Sequence, residues 1–201
     1  MRRWIRKVLP SAAGIFSLAC GVVLALLAGA AVVRESPASL PGPPVASGET
    51  GGLLGTGALA PAFRLPAAVG EEFSYGGEGS RNPLLLMFFS VFCDPCRAVL
   101  PVVQRIRERY GGRGLEVACV SLDGQPLGKT VAGSVKQEGY TFRVLLDEVD
   151  ETQGFRVADS YRVTEIPTLY ILDGEGRIVF SRAGRVREEE LDKVLQTVLR
   201  K

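Results

Sequence analysis

The sequence predicts an α/β fold, with a central mixed sheet flanked by helices and an N-terminal transmembrane helix ahead of it. Three observations carry that expectation. Residues 12–33 form an apolar run without a single charge. From about Gly57, short runs rich in β-formers alternate with segments of helical periodicity, the pattern that yields a mostly parallel sheet covered by helices. Within that alternation, the run Cys93, Asp94, Pro95, Cys96 stands where a strand gives way to a helix.

The N-terminal elements come first. Arg2, Arg3, Arg6 and Lys7 precede the apolar run. At about 1.5 Å per residue, that run is long enough to cross a hydrocarbon core. The positive-inside rule then keeps the N-terminus cytoplasmic and sends everything after Arg34 across the membrane. A cleaved signal peptide is the rival, because Ala28, Gly29 and Ala30 would serve as a cleavage site, though the run is long for one. Cys20 follows Ser17, Leu18 and Ala19 and faintly resembles a lipoprotein acceptor. Its ordinary reading is a small hydrophobe facing lipid. Residues 35–57 are rich in Pro, Gly, Ser and Ala without periodicity, which is the composition of a flexible tether. The chain thus divides into a basic stub and anchor over 1–34, a linker over 35–57 and a folded domain over 58–201.

Within the domain, 84–89 and 115–122 lack polar alternation and read as buried central strands. Between them, 95–110 should be helical, with Val99, Val102, Val103 and Ile106 on the packing face and a kink at Pro101. A second helix is expected over 128–137, a strand over 142–146 and a short helix near 155–161. Residues 169–172 and 178–181 flank Asp173, Gly174, Glu175 and Gly176, a turn sequence that predicts a β-hairpin. The last helix, 187–199, has Glu188, Glu189 and Glu190 in its first turn and Arg200 and Lys201 at its end, each complementing the helix dipole.

Composition excludes several chemistries. The net charge is +2 and the basic residues are spread along all 201 positions, so nothing suggests a nucleic-acid surface. With no histidine, the commonest general acid–base residue and the commonest transition-metal ligand are both missing. Four cysteines, at 20, 93, 96 and 119, are too few for a disulfide-stapled mini-domain.

The close pair carries the chemistry. A strand ending in Ser90, Val91 and Phe92 delivers Cys93 to the first turn of a helix, and a spacing of three puts Cys96 on the same face, within disulfide reach. Unpaired amides and the positive end of the helix dipole stabilise a thiolate there, so Cys93 is the expected nucleophile. Cys96, one turn deeper, would resolve the mixed disulfide. The same spacing supplies half of a zinc site, but Cys119 sits in a buried strand and Cys20 in the membrane, so ligand count disfavours zinc and no metal or cofactor is expected. Cys119 itself reads as a packed core residue.

Ile166, Pro167 and Thr168 stand immediately before a predicted strand, where a proline must be an edge, start or cis position. Together with Phe88 to Cys96, the hairpin and the terminal helix, they resemble the thioredoxin superfamily. The opening Ala60, Pro61, Ala62, Phe63, Arg64, Leu65 and the additional helix and strand between the motifs are similar to its membrane-anchored, extracytoplasmic TlpA-like (ResA-like) branch. The resemblance spans about 57–200. It implies a thioredoxin-like fold, a cis Pro167 packed against the cysteine pair, and an Ile166 backbone free to pair with a substrate segment as an added strand.

Two departures from that family pattern matter. Met87 and Val99 occupy positions where relatives often carry acids, so the usual proton acceptor for the deeper thiol is missing. Glu165, beside the proline, is a possible substitute, against the plainer reading of an exposed loop carboxylate. Asp94 opposes the dipole next to Cys93 while Arg97 supports the thiolate, and a less stabilised thiolate makes a better reductant. The expectation is therefore a thiol–disulfide oxidoreductase. It would draw electrons from a membrane thiol carrier to reduce extracytoplasmic protein disulfides, with apocytochrome c or a copper-site protein as the clients the resemblance suggests. Two alternatives use the same cysteines: a Cu(I)-delivery module, which soft thiolates favour, and a peroxiredoxin-like peroxidase, suggested by the Ala60 to Leu65 opening.

Overall fold

The computed structural model describes residues 52–76 and 82–200. The expected anchor over 12–33 and most of the expected tether lie outside the described residues. Among the described residues no helix is long and apolar enough to cross a membrane.

Among the described residues, seven strands and four α-helices follow in order: β1 (Phe63–Leu65), β2 (Phe73–Tyr75), β3 (Leu84–Phe89), α1 (Asp94–Tyr110), β4 (Glu116–Ser121), α2 (Gly128–Glu138), β5 (Arg143–Leu146), α3 (Arg156–Ser160), β6 (Thr168–Leu172), β7 (Ile178–Ala183) and α4 (Glu188–Val198). The five-stranded sheet runs β5-β4-β3-β6-β7. The sheet is mixed, as the sequence predicts, and its pairings divide evenly. β3 pairs in parallel with β4, and β4 with β5, whereas β3–β6 and β6–β7 are antiparallel. The physical reason is the chain reversal at the proline loop before β6, followed by the tight β6–β7 turn. In that turn Asp173 Oδ1 accepts the Glu175 and Arg177 amides at 2.9 Å each, and Gly176 takes φ +78°.

β3 lies at the centre with all six residues buried. Its alternate side chains feed two separate cores, as strand periodicity requires. Leu85, Met87 and Phe89 join Val99, Val103 and Ile106 of α1 and Leu191 and Leu195 of α4. Leu84, Leu86 and Phe88 join Phe63 and Leu65 of β1, Phe73 and Tyr75 of β2, and Val157, Ala158 and Tyr161 around α3. The β1–β2 hairpin was not foreseen, because three-residue strands show too little alternation to register as a period.

Element boundaries differ in small ways. The first helix starts at Asp94, so Cys93 is its N-cap and not a residue of its first turn. Pro101 lies on the exposed side of that helix, which continues to Tyr110. The domain also begins earlier than residue 58. Leu53 and Leu54, expected to belong to the tether, pack against the second core. Just after them, the Gly57 and Ala60 amides bond to Ile178 O at 2.8 Å and Gly176 O at 2.9 Å, and the Ile178 amide to Ala58 O at 2.9 Å, pairing the leading segment with the start of β7.

Candidate active site: the Cys93–Cys96 turn

β3 ends at Phe89, and the following turn is fixed from the neighbouring strand. Asp123, just beyond β4, accepts the Ser90 hydroxyl on Oδ1 at 2.6 Å, and the Val91 amide at 3.0 Å and the Ser121 hydroxyl at 2.6 Å on Oδ2. Ser90 Oγ in turn accepts the Phe92 amide at 3.1 Å, and Ser90 O accepts the Cys93 amide at 3.2 Å. The chain thereby enters α1 with Cys93 in an extended conformation, φ −93° and ψ 107°.

As N-cap, Cys93 does with sulfur what a serine or aspartate cap does with oxygen: its Sγ accepts the Cys96 amide at 3.2 Å. Pro95 falls in the first helical turn, where its missing N–H costs no intrahelical bond. Cys93 and Cys96 are joined in a disulfide with Cα atoms 5.2 Å apart. Their surroundings differ sharply. Cys93 is half-buried, whereas Cys96 is fully buried within the core that also holds Met87 and Val99. Those two positions are apolar and buried, as the departures in the sequence indicated.

The Ile166–Pro167 peptide is cis, and Cys93 Sγ lies 3.9 Å from Ile166 O. Pro167 is buried and Ile166 half-buried, so the proline loop forms a wall of the site beside the outer sulfur. Thr168 Oγ1 donates to Glu165 O at 2.7 Å and pins that loop, while Glu165 itself is exposed. The structure therefore brings Cys93, Cys96, Ile166 and Pro167 together. Asp94 and Arg97 form an exposed ion pair with one another across one helical turn, so much of the Asp94 charge is directed at Arg97.

Cys119 lies in β4, fully buried, and burial pushes its thiol far above the ordinary range. Among the described residues no group of three or more Cys, Asp or Glu side chains is placed to hold a metal ion. Two features escaped sequence reasoning. Phe92, next to the reactive cysteine, is 67% exposed and offers an apolar surface beside the outer sulfur. The Ser90, Ser121 and Asp123 cluster was also missed. Its signal is the parallel register that sets Phe89 against Ser121, which becomes readable only once β3 and β4 are known to be neighbours.

Comparison with known proteins agrees with this geometry. The AhpC/TSA family profile matches residues 56–181. A thiol-disulfide oxidoreductase ResA of Geobacillus kaustophilus is 26% identical over 148 residues, covering 72% of this chain and 79% of that protein. The ResA of Oceanobacillus iheyensis is 30% identical over 115 residues, but the match spans only 56% of its length and 57% of this chain. Among solved structures, a thioredoxin-family thiol:disulfide interchange protein from Chlorobium tepidum superposes with a TM-score of 0.59 at 20% identity, covering 70% of this chain and 95% of that one, which shows the shared fold. With a profile that runs unbroken through the cysteine turn and the cis-proline loop, the chain belongs to the AhpC/TSA family, on a thioredoxin-like fold.

Proposed function

We propose that this thiol–disulfide oxidoreductase works as a reductant of protein disulfides on the extracytoplasmic side of a bacterial cytoplasmic membrane, recharged by a membrane thiol carrier. The observation that carries the reading is the unequal burial of the two sulfurs, with the accessible one against Ile166 O. In the reduced protein the Cys93 thiolate attacks a client disulfide, forming a mixed disulfide and releasing one client thiolate. Cys96 then loses its proton and attacks Cys93 Sγ, which forms the Cys93–Cys96 bond and releases the second client thiolate. Two electrons pass to the client, and the two protons lost by the cysteines balance the two client thiols. The thiol carrier reverses this change on the protein.

Phe92 and the Ile166 backbone support docking of an extended client segment, the second as an added strand. Asp94 beside Cys93 and the family resemblance support the reducing direction, and apocytochrome c or a copper-site protein fits as client. The test is a Cys96→Ser variant in the native membrane, expected to accumulate mixed disulfides at Cys93 whose partners identify the clients. No captured partner with Cys93 still accessible overturns exchange. A redox potential near about −120 mV, the strong-oxidant end of the scale, overturns the reducing direction, while one toward about −270 mV supports it.

A further inference from the structure

Resting on that exchange reaction, we propose that Asp123 is a positioning residue for it, acting through Ser90 and the Ser90–Phe92 turn to hold Cys93 as the N-cap of α1 and so keep its sulfur reactive. Three donors, two from the turn after β3 and one from the end of β4, converge on this one carboxylate: the Ser90 hydroxyl, the Val91 amide and the Ser121 hydroxyl, at 2.6, 3.0 and 2.6 Å. A carboxylate suits that place because it accepts at every lone pair and donates nothing. An asparagine of the same shape would turn an N–H₂ toward at least one of the three donors.

The cluster is well placed to control the turn. Ser121 is fully buried at the end of β4, and its Oγ also accepts the Asp123 amide at 3.2 Å, so the carboxylate is anchored to the sheet at both ends of its own residue. From that anchor the bonds lead to Cys93 in two short steps. Asp123 holds Ser90, and Ser90 holds the Phe92 amide through Oγ and the Cys93 amide through its carbonyl. The extended backbone of Cys93 that lets Sγ accept the Cys96 amide follows from that path. Without the clamp the turn gains freedom, the sulfur loses its amide donor for part of the time, and the thiolate is less favoured. Asp123 is itself a negative charge near the turn, whose bare field would disfavour the thiolate. The two effects have opposite signs, which makes them separable.

The experiment is the pH dependence of iodoacetamide alkylation of the reduced full chain, read at the Cys93 peptide by mass spectrometry, alongside the rate of insulin disulfide reduction. Asp123→Asn is expected to move the alkylation midpoint up by about one pH unit, a tenfold smaller thiolate fraction on the acid side. Ser90→Ala, which leaves the Asp123 charge and its bond to the Val91 amide in place, should move it the same way, and should serve alone if Asp123→Asn does not fold. Thermal melts confirm that each variant is folded at the assay temperature. A folded Ser90→Ala variant with the wild-type midpoint overturns the proposal, and a midpoint lowered by Asp123→Asn beside that result means that only the charge matters. A wild type that does not reduce insulin counts against the proposed function, while the midpoints still decide whether Asp123 positions Cys93.

Discussion

Asp147 stands at the end of β5, fully buried, and its carboxylate accepts three backbone amides: Glu148 at 2.8 Å, Val157 at 3.1 Å and Ala158 at 2.9 Å. It thereby fixes the loop that leads into α3. Asp147→Ala leaves those amides without their acceptor and is expected to cost roughly 2–5 kcal/mol, read as a fall in the urea midpoint. Burial pushes the Asp147 carboxyl above its ordinary range, against the pull of the three amides. A carboxyl raised in the folded state is penalised when ionised. Its unfavourable contribution is absent below the unfolded value of about 3.9 and grows as pH rises through the folded value. A carbon-13 titration of its carboxyl should show a midpoint above about 3.9, and a midpoint below it would contradict the assignment. At this scale the sequence was most legible where chemistry is local. Cys93, Cys96 and Pro167 announce themselves by spacing and neighbours. Asp123 does not, because Ser90 and Val91 become its partners only when β3 and β4 lie side by side, and Asp147 does not, because the amides of α3 reach it only through the fold of the intervening loop.

Between elements, α1 and α4 are joined by an ion-pair seam as well as by the apolar contacts of the first core. Glu188 accepts Arg105 Nε at 2.7 Å and Arg109 at 2.8 Å, and Asp192 accepts Arg109 at 2.6 Å. The hydrogen bond from Arg105, with Arg109 adding its charge, holds the Glu188 carboxyl below the usual range. A depressed carboxyl stabilises the fold above its unfolded value of about 4.3, and that contribution disappears as pH falls through the folded value. Glu188→Gln should therefore lower the urea midpoint slightly at pH 7, and the difference from wild type should close in acid; a difference that persists there would assign the loss to packing instead. The three glutamates at 188–190 were readable as a helix start, but their partners on α1 were not. Helix and strand identities were legible from periodicity because β3 and β4 lack alternation and α1 shows a clear apolar face. The β1–β2 hairpin gave no such signal, and the N-cap role of Cys93 shifted the helix start by one residue.

At the scale of the whole molecule, β3 sits between a parallel and an antiparallel neighbour and delivers the reactive turn from its C-terminal end, beside the loop that enters β6. The alternation of strands and helices predicted the layered architecture. It could not predict the even division between parallel and antiparallel pairings, which depends on where the chain reverses. The compartment expected from residues 2–33 gives a prediction at this scale. In intact bacterial cells treated with a reductant, a membrane-impermeant maleimide should modify Cys93, while modification only after lysis would place the domain on the cytoplasmic side.

The pairing of residues 57–60 with the start of β7 has a mechanical meaning. Leu172, opposite the start of β7, is the partner of Leu84, the first residue of β3, whereas the sulfurs lie past Phe89, the last. The leading segment is therefore moored at one end of the sheet and the sulfurs work at the other, separated along β3 by on the order of 16 Å at about 3.3 Å per residue. A pull on the leading segment would be borne first by Leu53 and Leu54 against the second core and then by the pairing of residues 57–60 with Gly176 and Ile178, before it reached the redox turn at the far end of the sheet.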